Sequence, residues 1–240
     1  MKIRRTMLLA IAVLTILPLA KAQSLAHSSE GASGTVVVTT APPLDLTYVR
    51  PTQKTKLRNY VFDAFGPYPL AGAASAAGIG QAYDTPREWK QGARGYGMRI
   101  GSAFGIAAVS TTTRYGLAQA FKEDTLYYRC ECKRVFPRFT HAVISTLTAR
   151  RGEYGHRVFS FPALIAPYAG SMTAVYAWYP GRYNGKDALR MGNYTMLGYV
   201  GGNLALEFLY SGPHSLLSRM HLNNGRGAPD PVAPSPGSTQ

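Results

Sequence analysis

The sequence predicts an all-α fold, a bundle of helices rich in glycine and alanine, and three observations support this prediction. Charged residues make up only 16% of the 240-residue chain, which contains 25 glycines. Four stretches carry no charged side chain, namely residues 64–83, 100–113, 158–181 and 191–206. Glycine also recurs every four residues at Gly97, Gly101 and Gly105. Apolar segments of this length, built from small residues, are typical of helices that pack closely.

The N-terminus has the features of a secretory signal peptide, which we assign to residues 1–22. Basic residues at positions 2, 4 and 5 precede a charge-free run of fourteen residues (MLLAIAVLTILPLA), and the triplet Ala20-Lys21-Ala22 closes the segment. This order predicts export to the bacterial periplasm or cell envelope, with cleavage after Ala22. As a helix the apolar run is about 21 Å long, too short for a hydrocarbon core of ~30 Å.

Three regions are predicted after the signal peptide. Residues 23–45 are rich in serine, glycine, threonine and proline, which is typical of a flexible leader. Residues 223–240 lack aromatic side chains and contain several prolines, so we expect a disordered tail. The helical domain should therefore occupy residues 46–222.

The clearest helix start is the segment Asp84-Thr85-Pro86-Arg87-Glu88. Thr85 is suited to the N-cap, Pro86 to the first helical position, and Glu88 completes a capping box. The helix that follows would carry Gly97, Gly101 and Gly105 on one face that is almost free of side chains. Such a face allows another helix to pack closely, within the chain or in a second copy. The alternative is a soluble glycine-rich helix or an irregular glycine loop, because each interior glycine costs about 1 kcal/mol relative to alanine.

A small outer-membrane β-barrel is the alternative architecture. Residues 125–135 and 194–210 can be read as alternating strands. A barrel needs about eight such strands of ~10 residues, and the sequence offers two or three. The helical bundle is therefore favoured, as a compact domain that is soluble or lies at a membrane surface, with a partly embedded bundle as the alternative.

The positive charge of the chain belongs to the exported domain. Removal of residues 1–22 takes four basic and no acidic side chains from a formal net charge of +14, which leaves +10. Basic residues cluster at three places: Lys54, Lys56 and Arg58; Lys133, Arg134 and Arg138; Arg150, Arg151 and Arg157. Outside the cytoplasm the anionic partners are lipid head groups, lipopolysaccharide and cell-wall polymers. Nucleic acid is not expected, because no basic and aromatic recognition module is visible.

The sequence contains no motif of high specificity for catalysis or ligand binding. G-x-S-x-G, H-E-x-x-H and G-x-x-x-x-G-K-[ST] are all missing. Cys130 and Cys132 are too close in sequence for an easy mutual disulfide, so we expect free or intermolecularly paired thiols. A structural metal site needs four ligands, and His141 is the one further ligand nearby. We therefore predict neither a metal nor a cofactor.

The candidate functional residues are polar side chains on apolar helices. Pro137 opens a helix that places Arg138 and His141 on one face, and Glu207 shares a face with Asn203. In a structural interpretation, Glu207 forms a buried ion pair with Arg138 or Arg99, which holds helices together.

The acidic pair Glu123-Asp124 would then pair with Arg129 or Arg114. In a functional interpretation, His141 and Glu207, together with Glu123 and Asp124, form the acid–base set of a small envelope enzyme. The structural interpretation is favoured.

Scattered positions between about 84 and 210 carry a resemblance to a family of exported bacterial proteins of unknown function. They are Arg87-Glu88-Trp89, Arg99-Ile100-Gly101-Ser102, Glu123-Asp124, Phe136-Pro137-Arg138, His141-Ala142, Trp178-Tyr179-Pro180, Gly202-Asn203 and Glu207-Phe208. The resemblance implies bacterial export and no particular activity. We expect a non-catalytic envelope protein that associates with a membrane through its basic surface.

Overall fold

The computed structural model describes residues 48–130, 132–209 and 228–229, all of which lie within one compact unit of residues 44–240. Helices account for 72% of the described chain, and the predicted all-α fold is confirmed. The predicted signal peptide and leader, residues 1–22 and 23–45, lie outside the described residues, as does most of the predicted tail.

Among the described residues, six α-helices form the bundle: α1 (Gln53–Phe65), α2 (Pro67–Ala82), α3 (Gly92–Ala120), α4 (Val135–Leu147), α5 (Phe161–Ala177) and α6 (Gly185–Leu209). The described strands are short: β1 (Glu123–Asp124), β2 (Tyr128–Arg129), β3 (Thr148–Arg151), β4 (His156–Phe159) and β5 (Ala228–Pro229). β1, β3 and β4 form an antiparallel sheet in that order, and β2 pairs in parallel with β5. Two residues of the tail predicted to be disordered thus form a strand.

α3 is the central helix of the bundle and packs against α1, α2 and α5, while α6 packs against α4 and α5. α1 begins at a threonine cap, because the Thr52 hydroxyl accepts a hydrogen bond from the Thr55 N–H at 3.3 Å. α5 begins similarly at Ser160, whose hydroxyl accepts from the Ala163 N–H at 3.2 Å. Such caps satisfy N–H groups that have no partner within the helix.

The helix predicted to start at Thr85 starts instead at Gly92. The intervening Arg87–Trp89 segment is a single turn of 3-10 helix, and the Thr85 hydroxyl donates to the Tyr83 carbonyl rather than capping a helix. The physical reason is Arg99, which donates to the carbonyls of Thr85, Pro86 and Lys90 at 2.7–2.9 Å and so holds this segment as a loop.

The predicted glycine face of α3 does not make the expected helix contact. A Cβ atom at Gly97 or Gly101 would meet no atom within 4 Å in the described part of the chain, and one at Gly105 would touch only the Trp178 ring. The close approach of α3 and α5 is instead at Gly170, where an added Cβ would collide with Ser110 and the Ile106 carbonyl. Within the described chain, the close helix contact is therefore made at Gly170 and not at Gly97, Gly101 or Gly105.

The interior consists largely of small and polar side chains, and many large apolar side chains lie at the surface. The buried apolar residues are mostly alanines, and Glu207, Pro162 and Pro167 are among the largest side chains that are fully buried. Exposed apolar side chains occur on every helix of the bundle. In the described residues, none of the helices combines the length and hydropathy of a bilayer-spanning segment.

Candidate functional site

Glu207 of α6 lies at the centre of a buried polar cluster. Its carboxylate accepts hydrogen bonds from the Tyr127 hydroxyl at 2.7 Å, the Arg138 Nε at 3.0 Å and the Cys130 N–H at 3.1 Å. The side chain is completely buried. A carboxylate can remain buried and charged when donors of this kind surround it.

Arg138 connects α4 to α6 through both the side chain and the backbone of Glu207. Besides the contact with the carboxylate, its Nη2 donates to the Glu207 carbonyl, and its guanidinium lies 4.7 Å from the centroid of the Phe208 ring. The structure thus contains the predicted ion pair of Glu207 with Arg138. Burial, and then the hydrogen bond and charge of Glu207, raise the pKa of Tyr127, which keeps its hydroxyl a donor.

Arg99, the other predicted partner of Glu207, lies elsewhere. Its guanidinium donates to three loop carbonyls and, at 2.8 Å, to the Gln81 side chain, and it lies 3.5 Å from the Asp84 carboxylate. The sequence indicated two possible partners for Glu207, Arg138 and Arg99. In the structure Arg99 binds the 84–90 loop, whose conformation the sequence did not predict, and Arg138 pairs with Glu207.

His141 lies beside Glu207 but is held by a different residue. Its Nδ1 is 3.9 Å from the Glu207 carboxylate, beyond hydrogen-bond distance, and its Nε2 is 2.6 Å from Arg157 Nη2. Arginine can only donate, so Nε2 is the acceptor and the proton of the neutral ring is on Nδ1. A general base must reach the substrate proton at about 2.6–3.2 Å, and a carboxylate that orients such a base lies within hydrogen-bond distance of it. The observed geometry fits the structural interpretation better.

The acidic pair Glu123 and Asp124 forms a second buried cluster with its own donors. Glu123 accepts from the Ser160 hydroxyl at 2.5 Å, which ties β1 to the start of α5. Asp124 accepts from the hydroxyls of Tyr128 and Tyr48 at 2.6 and 3.2 Å. In the strand register of the sheet, Asp124 lies opposite Arg150 of β3.

Arg150 is a buried residue in this second cluster. Its guanidinium lies 5.5 Å from the Tyr48 ring centroid and 5.6 Å from that of Tyr128, and its Nη1 donates to the Gly155 carbonyl at 2.9 Å. Burial, and then the charge of Asp124, raise the pKa of both tyrosines. Arg150 therefore does not contribute to a cationic surface, contrary to the prediction.

Cys130 and Cys132 are joined by a disulfide, so the prediction of free or intermolecularly paired thiols is wrong. The Cα atoms of the two cysteines are 5.2 Å apart, which is within the range of disulfide-bonded pairs. In the described part of the chain, no group of three or more histidine, cysteine, aspartate or glutamate side chains is arranged to hold a metal ion.

The outer surface of α1 is the most unusual feature of the described structure. Leu57, Val61 and Phe65 lie one turn apart and are 62%, 50% and 53% exposed. They line an open groove of about 780 Å³, together with the cationic residues Lys54 and Arg58. This surface, which we call the α1 face, combines apolar side chains with positive charge.

The opposite side of α1 is polar and faces the protein interior. Asp63 accepts from the Tyr115 hydroxyl at 2.6 Å, and the ammonium group of Lys56 is 3.4 Å from the Gln119 side-chain oxygen. Burial, and then the charge of Arg50, lower the pKa of Lys56. Lys56 is therefore not part of the exposed basic cluster that was predicted to contain Lys54, Lys56 and Arg58.

A smaller exposed apolar group lies at the start of α4. Val135 and Phe136 are 71% and 77% exposed and directly follow the exposed Lys133 and Arg134. The combination again places positive charge beside large apolar side chains.

The chain matches no protein-family model, no curated protein and no solved structure. The function proposed below therefore rests on the residues of the chain itself.

Proposed function

We propose that this is an exported protein of the bacterial cell envelope that binds the anionic surface of a membrane through the α1 face. The observation that carries the proposal is the orientation of α1, which buries Lys56, Asn59 and Asp63 and exposes a line of large apolar residues. Helices of water-soluble domains normally bury their apolar face. A helix with the reverse orientation needs an apolar partner outside the domain.

Hydrogen bonds to α3 hold α1 in this orientation. Besides the contacts of Lys56 and Asp63, the hydroxyls of Tyr60 and Thr112 lie 3.1 Å apart. Turning α1 to bury Leu57 and Val61 would break these contacts. The exposed apolar line is therefore a fixed property of the fold.

The charges beside the groove suit an anionic lipid surface. Lys54 and Arg58 are exposed and lie one turn apart on the same side as Leu57 and Val61. In an interfacial helix the apolar side chains enter the acyl boundary while cations contact the head groups. Each basic residue near an anionic membrane contributes about 1 kcal/mol.

Export supports the proposal because it places the domain beside such surfaces. The predicted signal peptide directs the chain out of the cytoplasm, and the remaining chain keeps a formal net charge of +10. This charge favours association with anionic envelope components of any kind, and the α1 face supplies the orientation.

Vesicle binding tests the proposal. The protein should co-sediment with vesicles of phosphatidylglycerol and phosphatidylcholine, and bind vesicles of phosphatidylcholine alone much more weakly. The double variant Lys54→Gln/Arg58→Gln should lose about 30-fold in affinity for the anionic vesicles, from about 1 kcal/mol for each charge. The control Arg94→Gln/Lys186→Gln removes two exposed charges elsewhere and should change affinity much less.

The apolar contribution is tested with Leu57→Gln/Val61→Gln, against Leu189→Gln/Leu197→Gln as the matched control on α6. A loss of about 1 kcal/mol at each α1 position would again lower vesicle affinity about 30-fold. Equal losses of vesicle affinity in the α1 and control variants would refute membrane binding through the α1 face. If the α1 variants instead turn a dimer into a monomer in sedimentation, with no effect on vesicles, the groove binds a second copy and the proposal is wrong.

A further inference from the structure

A polar cleft lies away from the α1 face, between the end of α2 and the start of α6. It has a volume of about 440 Å³, within the range of small-molecule sites. Its walls come from the 83–87 segment on one side and from the loop and first turns of α6 on the other. Three arginines face it: Arg87, Arg182 and Arg190.

The acidic side chains in this cleft already accept hydrogen bonds from the protein. Asp84 accepts from the Gln91 side-chain amide at 3.1 Å. Asp187 accepts from the Arg190 Nη2 at 2.9 Å and from the Asn184 N–H at 3.2 Å. Their negative charge is thus partly compensated within the walls, although each carboxylate keeps lone pairs for further donors.

The arginine side chains of the cleft have N–H groups that remain available to a ligand. Arg182 pairs with Glu88, its Nη2 is 3.0 Å from the Tyr183 hydroxyl, and its guanidinium lies 4.6 Å from the centroid of the Tyr183 ring. In the part of the chain that the structure describes, the Arg87 guanidinium makes neither a hydrogen bond nor an ion pair. Because an arginine has five N–H donors, the cleft offers more donors than acceptors.

Aromatic rings complete the cleft. Tyr83 is 58% exposed at its edge. Tyr183 forms part of the wall and is held by an edge contact with Tyr179, whose ring centroid is 5.0 Å from that of Trp89. An exposed ring at the edge provides an apolar face against which the flat C–H face of a sugar can lie.

We propose that this cleft binds a saccharide that carries a phosphate or carboxylate group. Arg87 and the remaining N–H groups of Arg190 and Arg182 bind the anionic group, since arginine matches the planar or forked geometry of phosphate and carboxylate. Asp84 and Asp187 accept from sugar hydroxyls, and Tyr83 covers one face of the ring. The inference does not rest on the proposed function of the α1 face.

Calorimetric titration of the full exported chain tests the assignment with four probes: glucose 1-phosphate, glucuronate, glucose and inorganic phosphate. Both anionic sugars should bind at least about tenfold more tightly than glucose or inorganic phosphate, because only they use donors and hydroxyl acceptors together. If inorganic phosphate binds as tightly as glucose 1-phosphate, the cleft is a simple anion site and the saccharide assignment is wrong. If none of the four binds, the cleft is not a ligand site.

Substitutions locate the binding. Arg87→Ala should lower the affinity for both anionic sugars about 10- to 100-fold, which is the effect of losing a charge-assisted hydrogen bond. Arg94→Ala, an exposed arginine on α3 outside the cleft, should have no effect. Tyr83→Ala should weaken the sugar phosphate and leave inorganic phosphate unchanged. An unchanged affinity in Arg87→Ala would overturn the proposal.

Circular dichroism and vesicle binding serve as checks on these variants. The Arg87 guanidinium has no described partner in the fold, so Arg87→Ala should keep the helical spectrum, and Arg87→Gln is the second variant if it does not. Vesicle binding through the α1 face should be the same in all cleft variants. The failure of one proposal is thereby distinguishable from the failure of the other.

Discussion

Glu207 joins three parts of the chain through one carboxylate: α4 through Arg138, the segment after β1 through Tyr127, and the residue that begins the Cys130–Cys132 disulfide. A buried carboxylate with a cationic partner is stabilising only while both partners are present, because removal of one leaves the other without compensation. The contribution of Glu207 to stability is therefore large when measured by substitution.

We predict that Glu207→Gln lowers the free energy of unfolding by about 3 kcal/mol, since it leaves the Arg138 guanidinium without its counter-charge. The matched control is Glu153→Gln, which breaks the exposed ion pair with Arg50 and should cost under about 1 kcal/mol. Urea unfolding followed by circular dichroism measures both. A Glu207→Gln protein that is as stable as the control but has lost a cellular phenotype would favour the acid–base alternative.

Part of this cluster could be predicted from the sequence. The spacing of Arg138 and His141 on one face, and the presence of Glu207 on an apolar helix, both pointed to a buried ion pair, and the structure contains it. Arg157 was not predicted as the partner of His141, because the contact crosses from α4 to β4 and no local pattern indicates such a pair. The disulfide was wrongly excluded, because two cysteines separated by a single residue can have the Cα–Cα distance of 5.2 Å that the structure shows.

At the level of the elements, glycine has two different roles in the bundle. At Gly170 of α5 the backbone of α3 is so close that no side chain fits. At Gly101 of α3 an added Cβ would meet nothing within 4 Å among the described residues. Packing therefore requires glycine at position 170, whereas glycine at position 101 only lowers the stability of the helix.

We predict opposite effects of alanine at these two positions. Gly170→Ala should destabilise the protein by about 1–3 kcal/mol, because the Ile106 carbonyl cannot move without disturbing α3. Gly101→Ala should stabilise it by about 0.5–1 kcal/mol, the difference in helix propensity. Thermal unfolding of the two variants measures the difference. Destabilisation by Gly101→Ala would show that a partner covers this face of α3.

The sequence placed Lys54, Lys56 and Arg58 in one basic surface cluster and does not indicate which side of α1 points inward. Lys56 and Asp63 can be buried because Gln119 and Tyr115 of α3 lie opposite them, and these residues are more than fifty positions away. The position of the helix start near residue 85 was wrong for the same reason: Arg99, a residue of the next helix, bonds the loop carbonyls and stops the helix from forming there.

At the level of the whole molecule, three phenols that are buried or half-buried affect stability in the same direction. Tyr48, Tyr127 and Tyr128 have pKa values raised above the ordinary value of about 10, by burial first and by neighbouring carboxylates as well. The folded protein therefore holds these protons more tightly than the unfolded chain does. Their contribution to stability is fully present below about pH 10 and is lost as the pH rises further.

We predict that the free energy of unfolding falls steeply above about pH 10, by up to about 1.4 kcal/mol per pH unit for each phenol. Tyr127→Phe should make this slope shallower by about that amount, whereas Tyr154→Phe, at an exposed position, should leave it unchanged. Urea unfolding at a series of alkaline pH values gives the slopes. The same slope in Tyr127→Phe and in the unsubstituted protein would contradict the prediction.

Composition was sufficient to predict the helical class. In a chain of this size, few fold classes other than a helical bundle combine few charges, many small residues and long uncharged stretches. The small sheet was missed, since its strands are two to four residues long and too short for alternation to be visible. The orientation of α1, with its apolar side facing outward, was not predicted, because amino-acid composition does not indicate which side of a helix faces the protein interior.

The two tryptophans of the chain lie in the same corner of the fold. Trp178 donates from its indole nitrogen to the Ser102 hydroxyl at 2.9 Å and covers Gly105, while Trp89 is buried against Tyr179. Tryptophan fluorescence, excited selectively over tyrosine, therefore reports on the contact of the α5 terminus with α3, near the polar cleft. It carries no direct signal from α1, so an emission spectrum that stays constant on adding lipid is what docking through α1 would produce.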